Sequence, residues 1–241
     1  CFLPVPPRGP ANWPGFPSPT AVSETGMNWG FIIRAGVWAA TVFCGGTLIW
    51  LLVKTSRYGR PHQYTWAVGR PAAGVIYAFG KGMLPWEKES VAKHPLSFIA
   101  GIFYHLGIGT AFFILYAGML GFEPDSGAAE ILRVVVLTGT FSGLGLLLKR
   151  MVKPTLRQLS CPEDFLSNLV VDFFLLITVL EQSDLIPVAV WRTAAVLLLL
   201  YIPVSKIRHC FFFFYTRILF GVFFGRRGVY PGSKAGRMNH D

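Results

Sequence analysis

Charged side chains are scarce in this sequence: Asp, Glu, Lys and Arg make up only 14% of its 241 residues. A soluble domain carries about 25%. Together with 53% hydrophobic residues and a mean hydropathy of +0.50, this deficit argues against a water-soluble domain and predicts a protein embedded in a membrane. The charge that is present is unbalanced, with 22 basic and 12 acidic residues, so its placement has to be explained.

Cysteine is also rare, and its four positions show neither a CxxC pair nor the spacing of a metal finger. Neither a disulfide framework nor an iron–sulfur site can therefore be inferred from them, and any iron–sulfur chemistry belongs to a partner protein. The sequence also lacks a Walker loop, a nucleophile elbow, an HExxH motif and a paired-carboxylate motif. Hydrolase and kinase chemistry are not supported.

Five apolar segments follow a Pro-, Gly- and Ser-rich arm at residues 1–26. Each is close to the about 20 residues that cross a bilayer core as a helix, and in hydrocarbon only a helix of that length satisfies its own backbone. Because the connectors 123–129 and 182–185 are short, the helices that they join should be antiparallel neighbours. We predict an all-α integral membrane bundle of about five transmembrane helices over residues 27–209, followed by an aromatic and basic tail at 210–241. The segments lie near 30–53, 95–122, 130–148, 164–182 and 186–205.

The loop charges predict an orientation. Basic residues concentrate in the stretch 54–93, in the connector 149–157 and in the tail, whereas the connectors between them are acidic. Since cytoplasmic loops carry the excess of Lys and Arg, the N-terminus is predicted outside and the C-terminus in the cytoplasm. This alternation accounts for the net charge of +10 without nucleic acid as a partner.

The tail has two interpretations that the sequence leaves open. Its segment 210–220 is apolar and aromatic, and Arg226 and Arg227 follow shortly after it. The favoured interpretation is that this segment docks and anchors a cytoplasmic partner; the alternative is a plain membrane-surface helix, because both roles favour the same composition.

Three histidines are candidate cofactor ligands. His94 and His105 are eleven residues apart on the second segment, which brings them to nearly the same helix face, about 16 Å apart along the axis. Pro95 fits a first helical position and puts His94 at the cytoplasmic entrance of that helix. His209 is expected at similar depth, so His94 and His209 could ligate one haem iron axially. Alternatively, they are interfacial residues bonded to water or lipid headgroups.

His105 faces no evident axial partner on the fifth segment, so it could ligate a second haem with an unusual group, contact a quinone, or bond to a backbone carbonyl. Arg34 and Arg192 lie near outer helix ends, where they could bind haem propionates or reach lipid phosphates. Asp172 lies inside the fourth segment and is either a proton-handling group or a neutral packing residue.

Three stretches carry a family resemblance: 93–96 (KHPL) with 103–107 (FYHLG), 147–150 (LLKR) with 160–165 (SCPEDF), and 202–209 (IPVSKIRH). In this order the sequence resembles the gamma subunit of respiratory nitrate reductase and its relatives, the membrane cytochrome b subunits of sulfite-reductase-associated and heterodisulfide-reductase complexes. The resemblance covers roughly residues 27–230.

The resemblance implies a haem b-binding membrane subunit of a hetero-oligomeric redox complex, in a bacterial or archaeal cytoplasmic membrane. His94 and His209 would ligate the cytoplasm-proximal haem, and electrons would pass between menaquinone or ubiquinone and a cytoplasmic-side iron–sulfur subunit. The family's outer ligand on the fifth helix falls around Trp191, which is not a histidine, so a second haem stays open. A haem-free membrane anchor that recruits a soluble redox complex is the alternative.

Overall fold

The computed structural model describes residues 29–58, 66–87, 94–122 and 124–230, and the regular structure in them is helical. The predicted arm at 1–26 and the end of the tail, from residue 231, lie outside the described residues. Short 3-10 turns cover Lys81–Met83, Pro85–Glu87 and Lys206–Arg208. The α-helices are α1 (Trp29–Ser56), α2 (Pro71–Phe79), α3 (Pro95–Leu120), α4 (Ser126–Val152), α5 (Pro154–Leu159), α6 (Pro162–Glu181), α7 (Val188–Tyr201) and α8 (His209–Arg226).

Four helical segments of the described chain are long and apolar enough to cross a membrane: α1, α3, α4 and Lys206–Arg226. This finding agrees with the predicted membrane protein, but the predicted count of about five spans is not confirmed. The predicted fourth and fifth spans coincide with α6 and α7, which are not among the four. α6 carries the charges of Glu163, Asp164 and Asp172, and α7 has only 14 residues.

Five helices, α1, α3, α4, α6 and α7, pack into a bundle. α3 lies along α4, α6 packs against both α4 and α7, and α7 packs against α1. Side chains such as Val37, Leu115, Phe174 and Leu198 fill the interior and are almost completely buried. Large apolar side chains also cover the outside of these helices, Phe113 among them. Helices that are apolar on all sides need apolar surroundings, which a bilayer provides.

The helix ends carry the expected capping residues. His94 is the N-cap of α3 and Pro95 its first helical residue, as the sequence predicts. α3 ends at Gly121, whose left-handed φ of 81° favours glycine. The carboxylate of Asp125 caps α4, and that of Asp164 accepts a hydrogen bond from the backbone N–H of Cys161 at the start of α6. These caps fix where each helix of the bundle begins.

Side-chain contacts join the helix ends at one end of the bundle, which we call the basic end. Lys149 of α4 contacts Ser97 of α3, and Arg150 donates a hydrogen bond to the carbonyl of Asp164. Asp164 in turn forms an ion pair of 2.9 Å with Lys206, just after α7. The start of α3 and α6 and the end of α4 and α7 therefore lie together.

α2 and α8 form a separate helix pair, which we call the α2–α8 pair. Gly74 of α2 faces Gly221 and Gly225 of α8 so closely that a Cβ at Gly225 would lie 2.8 Å from the Cα of Gly74. Small residues spaced four apart allow backbones to approach in this way. Tyr77 also stacks on Tyr230 with ring centroids 4.7 Å apart. The hydrogen bond that Tyr77 donates to Glu87 raises the pKa of Tyr77 to about 12.

Candidate functional site

His94 lies in a groove between α3 and α4 at the basic end. The groove has a volume of about 560 Å³, within the range of about 300–1,000 Å³ that is common for small-molecule pockets. Apolar groups such as Phe141 line its wall, and Lys149 and Lys153 supply positive charge. The imidazole of His94 is exposed to this groove, so it is accessible to a ligand.

His209 begins α8 and is also exposed. Its Nδ1 lies 2.7 Å from the carbonyl oxygen of Lys206. Because a carbonyl can only accept a hydrogen bond, Nδ1 carries the proton and Nε2 carries the lone pair. This tautomer is the one that coordinates a metal through Nε2, and metal-binding histidines commonly make such a bond through the other nitrogen.

The two histidines lie at the same end of the bundle, because Lys206 links His209 to Asp164 and hence to α6 and α4. They come from separate helices, α3 and α8. The residues that line the groove at His94 belong to α3, α4 and the position after α4, so the groove itself does not extend to His209. Their predicted pairing on one iron stays a prediction.

His105 and Trp191 occupy different surroundings. His105 is exposed on α3, and its Nδ1 lies 2.7 Å from the carbonyl oxygen of Gly101. Trp191 is only 3% exposed and donates a hydrogen bond of 3.0 Å from Nε1 to the hydroxyl of Thr178. An indole nitrogen with its hydrogen is a donor and not an iron ligand. The donor set at this position therefore does not fit an outer haem.

Among the described residues, no group of three or more His, Cys, Asp or Glu side chains gathers to hold a metal ion. Haem iron needs only two axial side chains, since the porphyrin fills the other positions. The haem prediction therefore rests on His94 and His209 alone.

Arg34 and Arg192, predicted from sequence as cofactor-binding residues, line the same cavity at the opposite end of the bundle. The cavity has a volume of about 760 Å³ and is also lined by Trp38. Arg34 donates a hydrogen bond of 2.9 Å to the carbonyl of Met119, near the end of α3. The buried Nε of Arg192 has no hydrogen-bond partner in the described part of the chain. Two guanidinium groups around one cavity suit an anionic group such as a phosphate or carboxylate.

Asp172 lies inside the bundle, 2% exposed, where α3, α4 and α6 meet. Asn168 donates a hydrogen bond of 2.7 Å to its Oδ2, and the ring of Tyr104 lies beside it. Its Oδ1 points at Gly143, where a Cβ would collide with it, and has no hydrogen-bond partner within the described residues. Sequence analysis singled out Asp172 and missed Asn168, Tyr104 and Gly143. Asn168 was detectable, because residues four apart share a helix face.

Comparisons with family models, with curated protein sequences and with solved structures give no match for this chain. The resemblance to the nitrate reductase gamma subunit family therefore rests on the three sequence stretches that carry it.

Proposed function

We propose that the chain is a haem b-binding membrane subunit of a redox complex, which passes electrons between menaquinone or ubiquinone and an iron–sulfur partner. The observation that carries the proposal is the position of His94 and His209, two accessible imidazoles on separate helices at the basic end. The hydrogen bond from His209 to the Lys206 carbonyl is compatible with it, because it leaves Nε2 as the coordinating nitrogen, and His105 has the same tautomer through Gly101.

In this proposal His94 and His209 hold the iron, and Lys153 in the groove beside His94 pairs with a propionate. The bound haem supplies one-electron transfer, and two imidazole ligands leave no coordination position for oxygen. A second haem is not part of the proposal, since Trp191 stands where the family has its outer ligand. The anionic group at Arg34 and Arg192 is then a lipid phosphate and not a propionate.

The orientation is proposed from the positive-inside rule. The described part of the basic end carries Lys and Arg on α1, α4, α5 and the turn before α8, so this end faces the cytoplasm. Electron transfer requires the partner's cofactor close to the haem. The iron–sulfur subunit therefore docks at the basic end, on the surface around Lys149–Arg157, and the five helices of the bundle cross the membrane.

A reduced-minus-oxidised spectrum of the purified complex tests this function directly. The intact chain should show the bands of a low-spin b-type haem, and His94→Ala and His209→Ala should each abolish the same bands while the protein stays in the membrane. His105→Ala is the matched control, because it removes an exposed imidazole from the same helix as His94. Full haem occupancy in either the His94 or the His209 variant would contradict the shared ligation.

His105→Ala also separates the roles left open for this residue. Unchanged spectra with slower quinol oxidation would assign His105 to a quinone contact. Loss of a second haem signal would instead show that His105 is a ligand, and the one-haem proposal would be wrong.

The alternative is a haem-free membrane anchor that recruits a soluble redox complex. The missing histidine at Trp191 motivates this alternative, because a chain that has lost the outer ligand could have lost the other haem as well; Trp191 is instead buried with Phe174 and Leu175 in the core. Haem quantification in the washed complex distinguishes the two functions. Stoichiometric haem excludes the anchor, whereas a partner retained at full stoichiometry without haem supports it.

A further inference from the structure

The segment Lys206–Arg226 is long and apolar enough to cross a bilayer, yet its two ends make contacts that argue against a crossing. At its start, Arg208 and Phe212 share a pocket with Tyr58 and Lys54 at the end of α1. At its far end, the carbonyl of Arg226 accepts hydrogen bonds from the backbone N–H groups of Val68 and Gly69, at 3.0 and 2.9 Å. Tyr58 and Val68 therefore lie at opposite ends of α8.

The number of residues between Tyr58 and Val68 decides whether α8 can cross the membrane. If α8 crossed the membrane, the connection from Tyr58 to Val68 would also have to cross it. That connection has only about ten residues, half of what a transmembrane helix needs. An extended crossing would leave backbone groups unsatisfied in hydrocarbon. The connection also contains Arg60 and His62. Both ends of α8 therefore lie at the same side of the membrane.

Arg217 gives a second, independent argument. It lies in the middle of Lys206–Arg226, and its guanidinium group lies over the rings of Phe213 and Phe220 at 5.4 and 5.9 Å from their centroids. In a crossing helix this charge would sit near the centre of the bilayer, where an arginine strongly opposes insertion. On a membrane surface the same side chain reaches the phosphate layer without that cost.

The α2–α8 pair is nevertheless too apolar for water. Phe214 is 59% exposed and Ile76 of α2 is 74% exposed, with Ile218 and Phe223 exposed beside them. The described charges of the pair are arginines at its ends and in its middle, which suit lipid phosphates. Its exposed Phe and Ile side chains suit the upper part of the acyl chains. The pair is also continuous with the bundle through the 3-10 turn Lys206–Arg208.

We propose that the α2–α8 pair is a membrane-surface hairpin, embedded in the headgroup–acyl boundary of the leaflet at the basic end and not crossing the bilayer. The partner of its exposed surface is phospholipid. Acyl chains contact the exposed Phe and Ile side chains, and phosphates contact Arg208, Arg217 and Arg227. The glycine contacts between α2 and α8 hold the two helices together as one apolar unit. This inference does not depend on haem, so loss of the haem proposal would leave it unchanged.

Single cysteines test the topology of the full chain. In a variant with Cys44→Ala and the other native cysteines replaced by serine, Val229→Cys reports the far end of the hairpin. Gln158→Cys, at an exposed position of α5, and Leu185→Cys mark the basic end and the opposite end. With a membrane-impermeant maleimide on sealed vesicles, Val229→Cys should react from the same side as Gln158→Cys. Reaction from the side of Leu185→Cys would show that α8 crosses and would overturn the proposal.

A nitroxide spin label at Phe214→Cys tests the contact with lipid. In phosphatidylcholine–phosphatidylglycerol nanodiscs, relaxation by oxygen relative to relaxation by a water-soluble nickel chelate should be higher than for an aqueous label and lower than for a label at Phe113→Cys, which is exposed on the outside of the spanning helix α3. A label at Gln158→Cys, on the exposed side of α5, provides the aqueous reference. If the Phe214 label behaves like the Gln158 label, the hairpin projects into water, where its apolar face would serve a protein partner, and the lipid contact is refuted.

Discussion

Gly143→Ala is expected to destabilise the chain by disturbing Asp172, Asn168 and Tyr104, which we call the polar cluster. The added Cβ would collide with Asp172 Oδ1 and with the ring of Tyr104, whose Cδ2 atom would lie 2.8 Å away. Both neighbours are almost completely buried, so neither can simply swing into open space. Overpacking of this kind costs about 1–3 kcal/mol. Displacing the carboxylate also weakens the 2.7 Å bond from Asn168, which adds about 1 kcal/mol.

Gly145→Ala is the matched control on the same helix, because a Cβ there meets no atom within 4 Å. Both changes gain the same helix propensity, about 1 kcal/mol, so their difference isolates the collision. Gly143→Ala should therefore be less stable than Gly145→Ala by about 2–4 kcal/mol. The free energy of unfolding of the purified chain in detergent micelles, followed by circular dichroism in a denaturant titration, measures this difference.

A double variant identifies the colliding group. In an Asp172→Ala background the carboxylate is gone, so the added cost of Gly143→Ala should fall, leaving the part that is due to Tyr104. Equal stability of Gly143→Ala and Gly145→Ala would refute the close packing around Asp172. An undiminished cost in the Asp172→Ala background would show that Asp172 is not the group displaced.

Three further changes test other contacts. Gly74→Val should separate α2 from α8 and expose the α2–α8 pair to proteolysis. The control Ala72→Val, on the exposed face of α2, should not. Equal cleavage of the two variants would contradict the glycine contact. Trp191→Phe should cost about 1 kcal/mol in unfolding free energy for the lost hydrogen bond, and Trp191→Ala about 3–5 kcal/mol for the lost ring; similar losses would argue against close packing of the ring. Arg34→Ala should lower the unfolding free energy by about 1 kcal/mol, because it removes the bond to the Met119 carbonyl, and an unchanged value would show that this bond contributes nothing.

The helices of the bundle were predictable because apolar length dominates their sequence. The segments near 30–53, 95–122 and 130–148 correspond to α1, α3 and α4, each a candidate span. The start of α3 was also predictable, since Pro95 at the first helical position makes His94 the N-cap. The segments at 164–182 and 186–205 are helical in the structure, but composition overstated how readily each would cross a membrane by itself.

The α2–α8 pair could not be predicted in the same way. α2 has nine residues and lies inside what the sequence presents as a long basic loop, so no apolar run marks it. α8 has the hydropathy of a spanning helix and no distinct polar face, so its sequence alone favours a crossing. The contacts at its two ends are what argue against one. The contact that pairs them depends on Gly74 meeting Gly221 and Gly225 across about 150 residues of sequence.

The sequence predicted which residues belong to the candidate sites, but it did not predict which of them lie together in space. His94, His209, Arg34 and Arg192 were selected because polar groups at helix ends and in apolar segments are costly without a purpose. Sequence did not show that Arg34 and Arg192 would border one cavity, because that depends on the packing of α1 against α7. Their ligands, and the iron predicted at the two histidines, remain predictions.

The buried carboxyl of Asp172 also bears on how the protein enters its membrane during synthesis. Asp172 lies at the middle of α6, where an aspartate opposes release from the translocon into lipid by about 2.5–3.5 kcal/mol. Asp172 is packed against Tyr104 of α3 and Gly143 of α4. Both helices precede α6 in the chain, so they are synthesised before it. α6 should therefore integrate poorly as an isolated segment and efficiently when α3 and α4 are already in the membrane. The polar cluster would then act as an assembly signal that orders biogenesis from the N-terminal helices onward.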